Sequence, residues 1–337
     1  MSQVENNGGE AYICNIDFEK NLGNEVINHF VSSRENQEFE YFMFYLAPQL
    51  RVFSKKNYSQ KYLNFVESLV QEKIRLCSNP SKITPWWGSF SNADTLDKLQ
   101  NKVEFVKVLN ELGLASTPTT IVFNEEQLNE CSDKTLCKFP FGSSGRSNFL
   151  WPDHKAIILK NLKMSPCVAQ LHLNRVYDFS TVFENNKKLG TITNIVDERF
   201  QYKGSIIHAD AIPLQFQEEY SIKLEKLASY IKKQNYSGPY SIDSFIYEEN
   251  GNQKLYFACE VNLRKTMGYV TIKMKERFYE TDEKCSMFLS KKQLNEPSLT
   301  QLSPDDCYFY SYLFRGDCRE FFNVSKINLP ACSELEP

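Results

Sequence analysis

Asp243, Glu260 and Asn262 carry oxygen donors at spacings that suit a hard metal ion. All three lie within one stretch, GPYSIDSFIYEENGNQKLYFACEVNLRKTMGYV, residues 238 to 270. Two apolar, aromatic-rich runs, 240 to 247 and 254 to 261, are joined by Glu248-Glu249-Asn250-Gly251-Asn252, where glycine and asparagine accept the positive φ of a hairpin turn. Glu260 and Asn262 are two apart and share a face of the second strand, while Asp243 sits on the strand paired with it. A carboxylate in an apolar strand is costly unless paired or bound to a cation. An incomplete cage of hard oxygens fits Mg²⁺, which keeps waters and takes substrate phosphates, and Mn²⁺ suits similar donors. The competing reading is a polar strand end capped by neighbouring amides.

The cations that would complete a phosphate site come from earlier in the chain. In residues 94 to 114 the apolar positions Leu96, Leu99, Val103, Val106, Leu109 and Leu112 recur at helical steps and predict one amphipathic helix that ends at Gly113 and carries Lys102. A strand follows at 119 to 123. In TLCKFPFGSSGRSNFL, residues 135 to 150, Lys138 ends a short strand ahead of Gly142-Ser143-Ser144-Gly145-Arg146, a small-residue loop whose backbone amides could close over phosphates. Its spacing is neither that of a Walker loop nor of a dinucleotide fingerprint, and Gly and Ser are also ordinary hairpin residues.

Around these lie the remaining elements. Residues 11 to 17, 38 to 46 and 50 to 55 read as strands and 22 to 33 and 60 to 75 as helices, a small α/β unit. Pro80, Pro85, Trp86, Trp87 and Gly88 break that pattern and set a boundary near residue 90. Downstream, 187 to 190 reads as a turn, 191 to 196 and 202 to 209 as antiparallel strands, and 218 to 234 as an amphipathic helix, giving an α+β lobe. The charged run 276 to 284 reads as a solvated helix face, and 288 to 337 has no assigned role.

At 337 residues, with 42% hydrophobic and 14% aromatic content, the chain can form two or three packed lobes. A net charge of −3 gives no basic excess for nucleic acid or an anionic membrane. No run approaches the roughly 20 apolar residues of a membrane span, so the expectation is a soluble, cytoplasmic protein. Ten cysteines without a CxxC pair and four dispersed histidines exclude a zinc ribbon, a thioredoxin motif and an HExxH site.

The order of these features resembles the ATP-grasp superfamily over roughly residues 95 to 275. The resemblance implies an α/β and α+β architecture, with an N-terminal pre-grasp unit (1–93), a small lobe (94–168) and a large lobe (169–320) enclosing the nucleotide, and a tail (321–337). It places Lys102 and Lys138 on the phosphates of ATP with Gly142, Ser143, Ser144 and Gly145 as the flap. Gln170, Leu171 and Leu173 in VAQLHLNRVYDFS stand at the adenine hinge, and Asp178 stands as the ribose acid. Asp243, Glu260 and Asn262 become the Mg²⁺ ligands, with Arg264 and then Arg146 beside the transferred phosphate. The sequence departs from the family pattern at Phe139, where proline is common, at Gln170, where glutamate is frequent, and at Ser143-Ser144, where glycine is common. The implied activity is ATP-dependent carboxylate-amine ligation through an acyl phosphate, releasing ADP and phosphate. Its partners would be a small carboxylate and an amine, with a homodimer allowed. Arg175 and Arg199 are candidates for a substrate carboxylate, and 265 to 269 for the acceptor pocket. The rival readings are a silent ATP-binding scaffold, or an enzyme that uses bicarbonate or another acceptor.

Overall fold

The computed structural model describes residues 9–18, 33–89, 93–141, 147–197, 201–279 and 284–322. Its first layer is a four-stranded parallel sheet, order β3-β2-β1-β4, built from β1 (Glu10–Ile13), β2 (Arg51–Phe53), β3 (Arg75–Cys77) and β4 (Lys82–Pro85). Between β1 and β2 come two short helices, α1 (Arg34–Phe39) and α2 (Phe42–Leu46), and α3 (Gln60–Val70) follows β2. Residues 38 to 46 are therefore helical rather than a strand. Phe42, Met43, Phe44 and Tyr45 are all fully buried, so α2 has no polar face to reveal its period. The expected helix over 22 to 33 falls almost entirely outside the described residues.

The predicted single helix of 94 to 114 is two helices, α4 (Ala93–Gln100) and α5 (Lys102–Glu111). Asn101 divides them because its Oδ1 accepts from the amides of Val103 and Glu104, capping α5 in extended backbone geometry. A four-stranded antiparallel sheet, order β5-β8-β6-β7, then forms from β5 (Thr119–Val122), β6 (Thr135–Lys138), β7 (Asn148–Trp151) and β8 (Cys167–Leu171). Two helices flank it, α6 (Glu125–Asn129) and α7 (Lys155–Leu162).

The largest layer is an eight-stranded sheet, order β13-β12-β9-β10-β11-β14-β16-β15. It takes β9 (Asn174–Glu184), β10 (Lys187–Val196), β11 (Tyr202–Ile207), α8 (Leu214–Lys233), β12 (Tyr240–Glu249), β13 (Asn252–Asn262), α9 (Met267–Phe278), β14 (Cys285–Ser290), β15 (Leu299–Gln301) and β16 (Tyr310–Phe314) in chain order, with the two helices packed on it. Residues 187 to 190 belong to β10. The turn before them is Asn185-Asn186, at φ 51° and 59°, the paired left-handed conformation of a tight hairpin. The unassigned segment after 288 supplies the outer strands.

Two cores fasten these layers. Leu96, Leu99 and Phe105 of α4 and α5 pack with Tyr220 and Leu227 of α8 and with Ile242 and Phe257 of the hairpin strands. Tyr41 to Tyr45 and Val66 of the N-terminal unit pack with Val270 and Met274 of α9 and with Met287 and Leu313. Each such fully buried apolar side chain contributes about 1.5–3 kcal/mol. Tyr45 and Tyr62 both donate to the Leu302 carbonyl, at 2.8 and 2.7 Å, so the N-terminal unit is also pinned through hydrogen bonds.

Candidate active site

The β12–β13 hairpin turns where its sequence says it should, at Asn250 (φ 54°) and Gly251 (φ 75°). Counted from the turn pair Glu249–Asn252, an unbroken ladder would set Asp243 against Ala258. The register shifts instead between Asp243 and Phe245, and Glu260 becomes the partner of Asp243. Ala258 adopts φ 51° in this irregularity and its amide donates to Ser244 Oγ at 3.2 Å. A bulge thus aims one carboxylate at another.

Asp243 is held on several sides. Its Oδ1 accepts from Ser180 Oγ at 2.6 Å and Ser241 Oγ at 3.3 Å, and its Oδ2 accepts from Asn262 Nδ2 at 2.9 Å. Burial pushes its carboxyl up to about 6, and the facing Glu260 pushes the same way. Asn262 Oδ1 accepts from Arg264 Nη2 at 3.2 Å, and Arg264 Nη1 donates to the Lys265 carbonyl at 3.0 Å, which orients the guanidinium beside the strand end. Two carboxylates and an amide oxygen in one place form a hard-oxygen set of the kind that Mg²⁺ takes in part, completing its shell with water and phosphate.

The cations converge on the same place. Lys102, buried at the start of α5, lies 3.4 Å from Glu260 Oε1. Its backbone amide donates to the Pro140 carbonyl at 3.0 Å, tying the helix to the end of β6. Lys138 is 5% exposed, and burial lowers its ammonium to about 8, with Arg175 and Lys102 acting in the same direction and Cys259 and Glu260 opposing. A lysine so placed gains from any phosphate that enters. Arg175 stacks on Phe245, 3.9 Å from the ring centroid, and its Nη1 donates to Asp178 Oδ1 at 3.0 Å. Asp178 Oδ2 is buried and has no hydrogen-bond partner among the described residues.

Lys102, Lys138, Asp178, Asp243, Glu260, Asn262 and Arg264 all line one cavity of about 930 Å³. That is near the upper end of the roughly 300–1,000 Å³ usual for small-molecule sites. Gln170, Leu171 and Leu173 are not on its wall. Gln170 Oε1 accepts from Tyr256 OH at 3.1 Å, Leu173 packs with Phe245, Tyr247 and Tyr256, and Leu171 is 46% exposed at the end of β8. Gly142, Ser143, Ser144, Gly145, Arg146 and Arg199 lie outside the described residues. Of 265 to 269, Thr266, Met267 and Gly268 reach the cavity. Lys265 turns instead to the N-terminal unit, with its Nζ donating to the Trp86 carbonyl at 2.6 Å and lying 4.7 Å from that ring.

Sequence reasoning missed Ser180 and Ser241, which anchor Asp243, and Asn194, whose Nδ2 donates to Ser180 Oγ at 2.6 Å. Asn194 is the ladder partner of Asp178 and Ser180 that of Asp243. Polar residues facing a carboxylate across adjacent strands were the available signal.

The sequence matches no protein-family model and no curated protein sequence. Solved structures do match. N5-carboxyaminoimidazole synthetase of Staphylococcus aureus is similar with a TM-score of 0.55 at 14% identity, over 84% of this chain and 92% of that one. Its complex with ADP gives a TM-score of 0.50 at 13% identity, over 79% and 76%. The biotin carboxylase domain dimer of 2-oxoglutarate carboxylase from Hydrogenobacter thermophilus, solved with MgADP, ADP and bicarbonate, gives 0.52 at 12% identity, over 92% and 81%. These likenesses support the ATP-grasp fold for this chain, and at such identities they speak of fold alone.

Proposed function

We propose that this chain is an ATP-dependent ligase that joins a small carboxylic acid to an amine through an acyl phosphate, releasing ADP and phosphate. The observation that carries the reading is the facing pair Asp243 and Glu260, with Asn262 beside them and Lys102 3.4 Å from Glu260, in a cavity that Lys138 and Arg264 also line. Phosphoryl transfer needs chiefly positioning and charge neutralisation, and this set provides both. Asp243, Glu260 and Asn262 would hold Mg²⁺, which when bound offsets phosphate charge. Lys102 and Lys138 would take the phosphate oxygens, and the unpartnered Oδ2 of Asp178 would accept from ribose hydroxyls. The acid's carboxylate attacks the γ-phosphate, ADP leaves, and the amine displaces phosphate from the acyl phosphate to give the amide. Arg264, steadied on Asn262, would face the charge that develops on the transferred group.

The neighbours' ADP and MgADP complexes agree with use of a magnesium nucleotide. Residues 1–93 would form the unit that closes the acceptor side, and 94–168 and 169–320 the lobes around the nucleotide. Among the described residues no helix is long and apolar enough to cross a membrane. The test is ADP phosphorylation by acetyl phosphate, the partial reaction run backwards with a minimal acyl phosphate. Magnesium-dependent ATP formation supports acyl-phosphate chemistry. Its absence, together with AMP and pyrophosphate as the products of ATP turnover with pooled acids and amines, would replace it with adenylation.

A further inference from the structure

The cavity that holds the carboxylates has a second wall, formed by α1 and by residues around 288–294 and 308–309. There Tyr308, 50% exposed, carries two cations against its ring: the Arg34 guanidinium carbon is 5.7 Å from the ring centroid and Lys291 Nζ is 5.9 Å from it. The Tyr308 ring meets the Phe309 ring edge-on at 4.7 Å, and Phe309 is itself held in place. Glu38 Oε1 accepts from the Phe309 amide at 2.8 Å, and the Phe309 ring stacks on Phe39 at 6.4 Å. Glu38 is thus engaged in shaping the turn. Asp17 and Glu35 also reach the cavity, yet neither Arg34 nor Lys291 forms an ion pair with a described residue. Two positive groups gathered at one aromatic ring, both facing the cavity, form an arrangement that an anion completes.

We propose that Arg34 and Lys291 at Tyr308 bind a second anionic group, a carboxylate or a phosphate, of the acid that shares the cavity with ATP. The substrate class is then an organic acid with at least two anionic groups, one reacting near Arg264 and one anchored at Tyr308. This rests on the ligase reading, because only a first-step acid must occupy the cavity together with the nucleotide. Remote binding of that kind aligns the reacting carboxylate without touching it.

The experiment is calorimetric titration of the whole chain, loaded with MgADP, with three probes: glutarate, inorganic phosphate and butyrate. Glutarate, phosphate or both should bind, and the Arg34→Gln/Lys291→Gln double variant should weaken that binding about tenfold or more. Butyrate, with one charge, should show no such loss. The glutarate and phosphate arms separate a carboxylate seat from a phosphate seat. Because both side chains are exposed and lie apart from the nucleotide machinery, the variant should keep its melting temperature and its MgADP affinity. Equal affinities in wild type and variant, or no binding of either dianionic probe up to about 50 mM, would overturn the proposal. Acetyl phosphate turnover separates the two readings, since it needs no second anionic group. If it fails while the Arg34- and Lys291-dependent binding holds, the anion seat stands and the ligase reading falls.

Discussion

Replacing Glu40 by Gln should stabilise the protein increasingly as pH rises from about 4.5 to about 7. Glu40 is 1% exposed, in the N-terminal unit between α1 and α2, and its Oε1 accepts from Tyr58 OH at 2.9 Å and from Ser54 Oγ. Burial raises its carboxyl from 4.5 to about 7, with those hydrogen bonds and Lys56 resisting the rise. A folded-state value above the unfolded one means that the native state holds a proton the unfolded chain has released. Stability is therefore full below about 4.5 and is lost as pH rises towards 7. The loss is about 3 kcal/mol at pH 8 and under about 1 kcal/mol at pH 5. Glutamine keeps the accepting oxygen and cannot ionise, so the gain from Glu40→Gln should grow by about 2 kcal/mol between those pH values. Any fixed cost of the new amide cancels in that difference. Urea unfolding of both proteins at pH 5 and pH 8 reads it directly. An unfolding difference that is the same at both pH values would refute the reasoning, and Glu40 would then be ionised and adequately paired in the fold.

Other outcomes follow from the cavity and its supports. Glu260→Gln, whatever it does to the free protein through Lys102 and Asp243, should remove the extra stabilisation that Mg²⁺ adds to ATP. Loss of a ligand should exceed the roughly 10–100-fold cost of losing an outer-shell partner, and an undiminished magnesium effect would sink the metal assignment. ATP affinity should fall as pH rises past about 8, because Lys138 must then regain a proton to meet a phosphate. The slope should approach tenfold per pH unit and be absent in Lys138→Met. Gly268 lies in the first turn of α9, where an added Cβ would sit 2.3 Å from Ile192 Cδ1. Gly268→Ala should cost about 1–3 kcal/mol of stability, and adding Ile192→Val, which deletes that methyl, should restore most of it in thermal unfolding.

The sequence exposed the carboxylates because charged residues inside aromatic strands stand out against their surroundings, and Asn250-Gly251 marked the turn between them. It could not expose the register shift that sets Glu260, rather than Ala258, against Asp243. Such a shift follows from packing and from Ser244 meeting the Ala258 amide, not from local propensity. The division between α4 and α5 was readable in principle, since Asn101 with Glu104 three residues on has the spacing of a capping signal. The apolar run of α2 was not, because a helix buried on every face carries no period. The pairing of Arg175 with Asp178 shows a similar limit: three residues apart in one strand, they share a face because the register against β12 shifts between Arg175 and Tyr177, which a sequence does not state. The strands β14 to β16 went unassigned because they are short and separated by mixed loops.

One further consequence follows from where the hairpin stands in the large sheet. β13 carries Glu260 and Asn262 and is an edge strand, so among the described residues one of its rims has no neighbouring strand. α4 packs against it, and Ser116 Oγ accepts from the Phe257 amide at 2.8 Å while donating to the Phe257 carbonyl at 3.3 Å. Segment 93–116 therefore acts as a plug on a rim that would otherwise template another chain. If that segment peels away, the same event strips Lys102 from Glu260 and opens a sticky border. Loss of charge balance at the site and the onset of self-association would then share one opening, visible as hydrogen exchange along the outer amides of β13 before any precipitate forms.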